Sequence, residues 1–471
     1  MKKLDLAVVG SGMGGSMIAA LNNDKDLILF EKDKNLGGCA STFKRFGSYF
    51  NTGATTFVGY EDKHPIKRVF DKLNINPNIS KSNTAIRVLQ NGKVLDRKKD
   101  FEDFLKDINT LYPNKNNEKF WRTIKEIDEK FWSLKKLYYV KYSFKGYFKT
   151  VLFMMELLKT FKFDLFRSAS GFIKDVLGNI SKEYQSFIDA QLFITVQTTS
   201  KDIPLLTMCL GLAYPFHDVF YVNGGMGSLF DDILDDVDVH NKEAIINIKR
   251  DKNGYILKTS NDTYFADKVV LNSTVFDSDR LFDDEEIKNY YKGFEFSNQS
   301  AFVVYLKLNI KPELLHHYQI ILNENIPNCI SNSFFVSISD YKDEKMSKNG
   351  LSITISTHTQ VNYWKELSKE QYEKQKQKTM DFIITEFLNN FDNINKEDIK
   401  TSFCGTSATF NSYINRFNCG GSAITIKNIL KLPSCKTPFE GLYNVGDTVF
   451  AGQGWPGVAL GVEVLDKELN E

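Results

Sequence analysis

Three glycines, Gly10, Gly12 and Gly15, stand in G-x-G-x-x-G spacing directly after the apolar run Leu6 to Val9. An acid, Glu31, closes a second apolar run, Leu27 to Phe30. These residue types at this spacing can hold a dinucleotide. Gly10 permits a tight turn, Gly12 lets backbone come close to a pyrophosphate, and Gly15 lets a helix lie against a strand. The N–H groups that open such a helix, from Met13 and Gly14 onward, and the helix dipole favour phosphate charge. Glu31 is placed to accept hydrogen bonds from adenosine ribose hydroxyls. The paired glycines of Asn35-Leu36-Gly37-Gly38-Cys39-Ala40-Ser41 either offer further N–H groups to the same ligand or form an ordinary loop. At the far end of the chain Gly446-Asp447 precedes Gly452-Gln453-Gly454-Trp455-Pro456-Gly457. There Asp447 can meet a ribityl hydroxyl, and a helix starting near Pro456 can face negative charge on a reduced flavin ring. A simple nicotinamide domain would complete its sheet in the first half of the chain and leave Asp447 without a role.

The elements that must position these residues follow from the apolar pattern. A buried parallel strand at Leu6 to Val9, a helix through Ser16 to Leu21 and a strand at Leu27 to Phe30 form the opening unit. Residues 100–200 read as mostly helical, with Phe104, Ile108, Leu111, Trp121, Ile124, Ile127, Phe131 and Leu134 at helical spacing. From Pro215 the texture changes, and Gly224-Gly225-Met226-Gly227 opens a helix at Leu229 to Leu234. Strands are expected at Ala244 to Ile248, Tyr255 to Thr259, Lys268 to Leu271, Ala301 to Leu308 and Leu351 to Ser356. A long helix is expected near Lys369 to Asn389. The expected fold class is α/β, one nucleotide-binding fold assembled from both ends of the chain with a second domain inserted. The expected division is 1–85, 223–285 and 419–471 for the nucleotide domain, 86–222 for a mostly helical substrate or membrane-facing part, and 286–418 for a mixed sheet with helices.

The bulk composition narrows the function. A chain of 471 residues exceeds one compact core, and 42% apolar with 25% charged residues is ordinary for a soluble protein. A net charge of +1 argues against nucleic acid as partner. The six cysteines (Cys39, Cys209, Cys329, Cys404, Cys419, Cys435) and six histidines show no metal-ligand spacing, so neither metal nor disulfide framework is expected, and the expected location is the cytoplasm. Met1-Lys2-Lys3 imitates the start of a signal peptide, but Asp5 interrupts it and the glycine turn follows at once. No apolar stretch approaches the length of a membrane span. Between Lys135 and Arg167 eight basic residues and two acids are interleaved with Phe144, Phe148, Val151, Met155, Leu158, Phe163 and Phe166. This segment reads either as a helix on the cytoplasmic membrane surface or as a domain helix with a solvated basic face and a buried apolar one.

Leu442-Tyr443-Asn444-Val445-Gly446-Asp447-Thr448 with Gly452-Gln453-Gly454-Trp455-Pro456-Gly457-Val458 resembles the C-terminal flavin motif of the carotenoid desaturase and isomerase family, the group of phytoene desaturase-like and retinol saturase-like enzymes. Gly10 to Glu31, Phe50-Asn51-Thr52-Gly53 and Asn223 to Leu229 are similar to the same family in the same order. The resemblance implies a glutathione-reductase-like FAD-binding Rossmann domain with an inserted α+β substrate domain. It implies an FAD-dependent oxidoreductase that desaturates, saturates or isomerises a hydrophobic polyene or isoprenoid substrate by hydride transfer at flavin N5. Under it, cofactor contacts fall on Gly10, Gly12, Met13, Gly14, Gly15, Glu31, Lys32, Gly37, Gly38, Cys39, Ala40, Ser41, Gly53, Ala54, Ile245, Gly446, Asp447, Gly454, Trp455, Pro456, Gly457 and Val458. The FAD is expected to be non-covalent, since no His or Cys lies in the C-terminal motif. Many relatives carry Arg directly after the double glycine, where this chain has Cys39, leaving Lys44 or Arg45 as substitutes. Apart from Gly452–Gly457 within the C-terminal flavin motif, no second G-x-G-x-x-G is present to hold NAD(P)H, so the electron partner is expected to be a quinone, oxygen or a separate donor. No catalytic acid or base is identified; His217 and Tyr214 read as structural. An amine-oxidase-like enzyme, which needs an aromatic cage beside the ring, and a lipid-binding flavoprotein without turnover are the alternatives.

Overall fold

The N-terminal apolar run forms strand β1 (Lys2–Val9), which passes through the glycine turn into helix α1 (Met13–Leu21) and back as β2 (Leu27–Glu31). In the computed structural model, which describes Met1–Glu471 except Phe296, Cys419, Ser422, Ala423, Ile426, Ile429 and Leu430, β1 and β2 are parallel, with Leu6 opposite Leu27 and Val9 opposite Phe30. Layers cover both faces of this pair, so Leu4, Leu6, Val8, Ile28 and Leu29 are all buried and the apolar run is continuous rather than alternating.

The same sheet is completed from far along the chain. Strand β3 (Val239–Asn241) lies parallel to β2. Strands β4 (Asn247–Asp251) and β5 (Gly254–Lys258) form an antiparallel hairpin against β6 (Thr263–Leu271), which runs parallel to β1. Strand β7 (Leu442–Asn444) pairs in parallel with the last residues of β6. The expected strand at Ala244 to Ile248 begins later, at Asn247. The cause is local: the Lys242 and Glu243 N–H groups bond to the Asp33 and Glu31 carbonyls, which holds this stretch across the end of β2 instead of in the ladder.

A second, seven-stranded sheet has the order 399–405, 299–308, 352–360, 333–338, 317–321, 84–90, 93–98. It is antiparallel except where 317–321 meets 84–90. The segment after residue 86 therefore starts as sheet and turns helical only from Phe101. Asn91-Gly92, both at positive φ, close the 84–98 hairpin, a turn whose twist matches that of the strands. The helical region includes α2 (Phe144–Phe161) and α3 (Lys182–Val196). The helix Lys369–Asn389 starts at a Ser368/Gln371 capping box and packs Ile383 and Phe387 on the second sheet. The chain closes with helix α4 (Gly454–Asn470), which lies beside α1 and so joins the two ends of the chain in one core.

Candidate functional site

Strands β1, β2, β3, β6 and β7 run parallel, so their carboxyl ends share one edge of the sheet, where open α/β sheets place ligands. Gly10–Gly15, Glu31, Asn272 and Gly446-Asp447 all follow those strand ends. Residues singled out at the two ends of the chain thereby lie along one sheet edge.

At its first edge the Glu31 carboxylate accepts three hydrogen bonds. Ser11 donates from its N–H at 2.8 Å and its hydroxyl at 2.7 Å to Oε2, and the Asp33 N–H donates at 2.8 Å to Oε1. A carboxylate offers about four lone-pair sites, which leaves one open to a further donor. Ser11 also ties in the double glycine, since the Gly37 N–H reaches the Ser11 carbonyl at 3.0 Å. The buried Ile245 lies two residues after Glu243, whose N–H bonds to the Glu31 carbonyl. Lys32 points outward to the Ser412 carbonyl and Asn415.

In the middle, backbone crowds backbone. A Cβ on Gly15 would stand 2.1 Å from the Gly10 carbonyl oxygen, and one on Gly12 would stand 2.4 Å from Asn272 Nδ2. A Cβ on Gly14 or on Gly446 would stand 2.9 Å from Asn272 Oδ1, so this one side chain, on a residue held by its N–H on the Val9 carbonyl at 2.9 Å, fills the space the glycines vacate. Helix α1 opens at Gly12 with no side-chain cap, which leaves its first N–H groups available to an anion. Gly37, at φ 102°, packs against the Phe230 ring. The Cys39 carbonyl accepts from the Ala54 N–H at 3.0 Å and the Ser41 carbonyl from Thr52 at 2.9 Å, so Gly38–Ser41 and Gly53-Ala54 form one layer.

Asp447 is gripped by Arg416, whose guanidinium donates to Oδ1 at 3.0 Å and Oδ2 at 2.9 Å. Arg416 also reaches the Cys39 thiol; burial pushes that thiol up, and the guanidinium pulls against the shift. Lys44 and Arg45 do not supply this cation. Lys44 lies over the Tyr49 ring and Arg45 over Phe46 and Phe403, because the 42–51 hairpin turns them away. The positive charge beside Cys39 comes instead from Arg416, a residue with no motif around it.

Helix α4 also opens without a side-chain cap, at Gln453, whose amide donates to the Thr195 carbonyl on α3. Pro456 lies in its first turn against Gly59, Gly457 lies 2.9 Å (as a Cβ) from the Gly452 carbonyl oxygen, and Val458 enters the core. The Trp455 ring is buried against Phe57 and Phe230. Just before them Phe450 meets Tyr139 at 5.0 Å and Phe153 of α2 at 6.2 Å, which joins the site to the helical region. His217 and Tyr214 stand elsewhere. His217 Nε2 is 2.6 Å from Asp128 and its Nδ1 3.5 Å from Glu61, while the buried Tyr214 hydroxyl is pushed up to about 12 by burial. A surface groove of about 890 Å³ beside α3 has mixed walls, with Lys174, Lys182 and Asp189 alongside Ile173, Ile180 and Phe193.

Comparison with known proteins places this geometry. Residues 20–381 match the family described as flavin containing amine oxidoreductase. A chloroplastic prolycopene isomerase of carrot, Daucus carota, is 24% identical over 498 residues, covering 98% of this chain and 78% of that protein. A shorter stretch is 37% identical over 73 residues to all-trans-retinol 13,14-reductase of Danio rerio, covering 15% of this chain and 12% of that one. An oxidoreductase of Methanosarcina mazei has the same fold, with a TM-score of 0.65 at 16% identity over 99% of this chain and 100% of the other.

Proposed function

This chain belongs to the flavin-containing amine oxidoreductase family, and we propose that it is a non-covalent FAD enzyme acting on C–C or C=C bonds of a hydrophobic polyene or isoprenoid lipid. The observation that carries the substrate class is the match to prolycopene isomerase along nearly the whole chain. It includes the helical and second-sheet segments, where a substrate is chosen. Fold alone would not carry it.

The residues at the strand ends fit FAD. Two uncapped helix starts and a carboxylate with one open acceptor site match a ligand with two phosphates, a ribose, a ribityl chain and two ring systems. In this reading Glu31 takes an adenosine ribose hydroxyl, and Ile245 walls the adenine. Met13, Gly14 and Gly15 present N–H groups to the pyrophosphate. Gly37 to Ser41 with Gly53-Ala54 line the other side. Arg416 sets Asp447 for a ribityl hydroxyl, and the start of α4, Gly454 to Val458, faces the ring. When bound, the flavin supplies hydride exchange with a carbon–carbon bond. The protein then has to position the bond and exclude water.

The test is turnover on lipid classes. Purified protein is incubated with a poly-cis carotene, all-trans-retinol and primary amines, with the flavin oxidised and reduced, and polyene and flavin absorbance are followed. A change in the polyene chromophore is expected. Flavin bleaching by amines with no polyene converted would overturn the proposal.

A further inference from the structure

Helix α2 carries apolar side chains on two opposite faces. Gly146, Phe153, Leu157 and Phe161 are buried, and Phe153 touches Phe450 of the C-terminal loop. On the opposite face Phe144, Phe148, Val151, Met155 and Leu158 are exposed, Phe144 at 93% and Met155 at 60%. Spacings of three and four residues align them in one stripe. The 3₁₀ turn Lys162–Phe166 directly after α2 adds Phe163 at 90% and Phe166 at 75% exposure. Isolated exposed apolar residues are ordinary, whereas a contiguous stripe of aromatic and aliphatic side chains marks a binding surface.

The charges around the stripe identify its occupant. Lys145 and Lys149 pair with Glu471, and Arg167 pairs with Asp164 and Asp175. Lys135, Lys136, Lys159 and Lys162 are exposed and make no ion pair among the described residues. A symmetric contact with a second copy through this face would set these lysines against one another. Anionic headgroups complement them. No helix among the described residues is long and apolar enough to cross a membrane.

We propose that this face of α2 and the turn after it docks on an anionic lipid bilayer, with the aromatic stripe at the headgroup–acyl boundary and the free lysines on the phosphates. The docking rests on the patch alone. A consequence rests on the substrate class proposed above: since the inner face of the same helix touches Phe450, docking sets the bilayer beside the C-terminal loop of the candidate site.

Flotation of the full-length, flavin-loaded protein with phosphatidylcholine vesicles, with and without about one-third phosphatidylglycerol, tests the docking directly and needs no substrate. Binding is expected only with phosphatidylglycerol and is expected to weaken with salt. The variant Phe144→Ser, Phe148→Ser, Phe163→Ser is expected to lose binding by roughly a hundredfold, and Lys159→Glu, Lys162→Glu by roughly tenfold or more. All substituted side chains are exposed, so flavin absorbance is expected to be unchanged in both variants. Equal flotation of the serine variant would overturn the proposal. So would absence of flotation together with a concentration-dependent dimer that Phe148→Ser dissolves. Turnover that fails while flotation succeeds refutes the substrate class and leaves the docking intact.

Discussion

Replacing Glu31 by Gln changes one atom and separates a cofactor contact from a loop contact. The carboxylate accepts from the Ser11 N–H and hydroxyl on one oxygen and from the Asp33 N–H on the other. An amide keeps one oxygen. Turned toward Ser11 it retains two bonds, and its NH₂ then faces the Asp33 N–H. That orientation also removes the acceptor proposed for the ribose hydroxyl. Loss of one hydrogen bond to a charged group is worth about 1.5–3 kcal/mol, so the Kd for FAD is expected to rise roughly ten- to hundredfold. The assay is titration of the flavin-stripped protein with FAD and, separately, with FMN, followed by quenching of flavin fluorescence. FMN lacks the adenosine half, so its affinity is expected to be the same in the variant and the parent. An equal fall for both flavins would mean that Glu31 only shapes the turn. An unchanged FAD affinity would remove Glu31 from the cofactor site.

Gly15→Ala would place a Cβ 2.1 Å from the Gly10 carbonyl oxygen, a backbone atom that cannot move without opening the β1–α1 turn. A loss of about 3 kcal/mol or more is expected, read as a lowered denaturation midpoint with flavin-poor protein on purification. Acid precipitation is expected to release all of the flavin into the supernatant; colour retained in the pellet would show a covalent link. The pH dependence of stability has two limbs with opposite signs. Burial opposes charge on His217, but its hydrogen bonds to Asp128 and Glu61 outweigh this and raise it to about 8 from about 6.5. Its contribution is therefore complete below about pH 6.5 and lost as pH rises through about 8, about 2 kcal/mol in all. His64 is shifted the other way, to about 3 by burial and the neighbouring His217, so the fold loses stability as pH falls from 6.5 toward 3. Thermal midpoints across this range are expected to peak between the limbs, with His217→Gln flattening the alkaline one.

The sequence by itself determined the features whose physics is short-range. Gly10 to Gly15 must turn between a buried strand and a helix, Glu31 must follow the next strand, and the start of α4 is visible in its glycines and Pro456, each signal lying within about one element of the chain. The colinear motifs added the flavin family. The hairpin at Asn91-Gly92 is equally local, a signal present in the sequence within a stretch otherwise read by its helical texture. What only the tertiary structure decided are the contacts between strand ends far apart in the chain. Asn272 fills the gap between Gly12, Gly14 and Gly446 because β6 lies between β1 and β7. Ser11 links Glu31 to Gly37. Arg416, not Lys44 or Arg45, reaches Cys39 and Asp447, because hairpin geometry fixes where Arg45 points and nothing near Arg416 in sequence reveals its partners. The stripe on α2 is of the same kind. Helical spacing shows two apolar faces, and which of them meets protein depends on the neighbours, since burial belongs to the packed molecule and not to the segment.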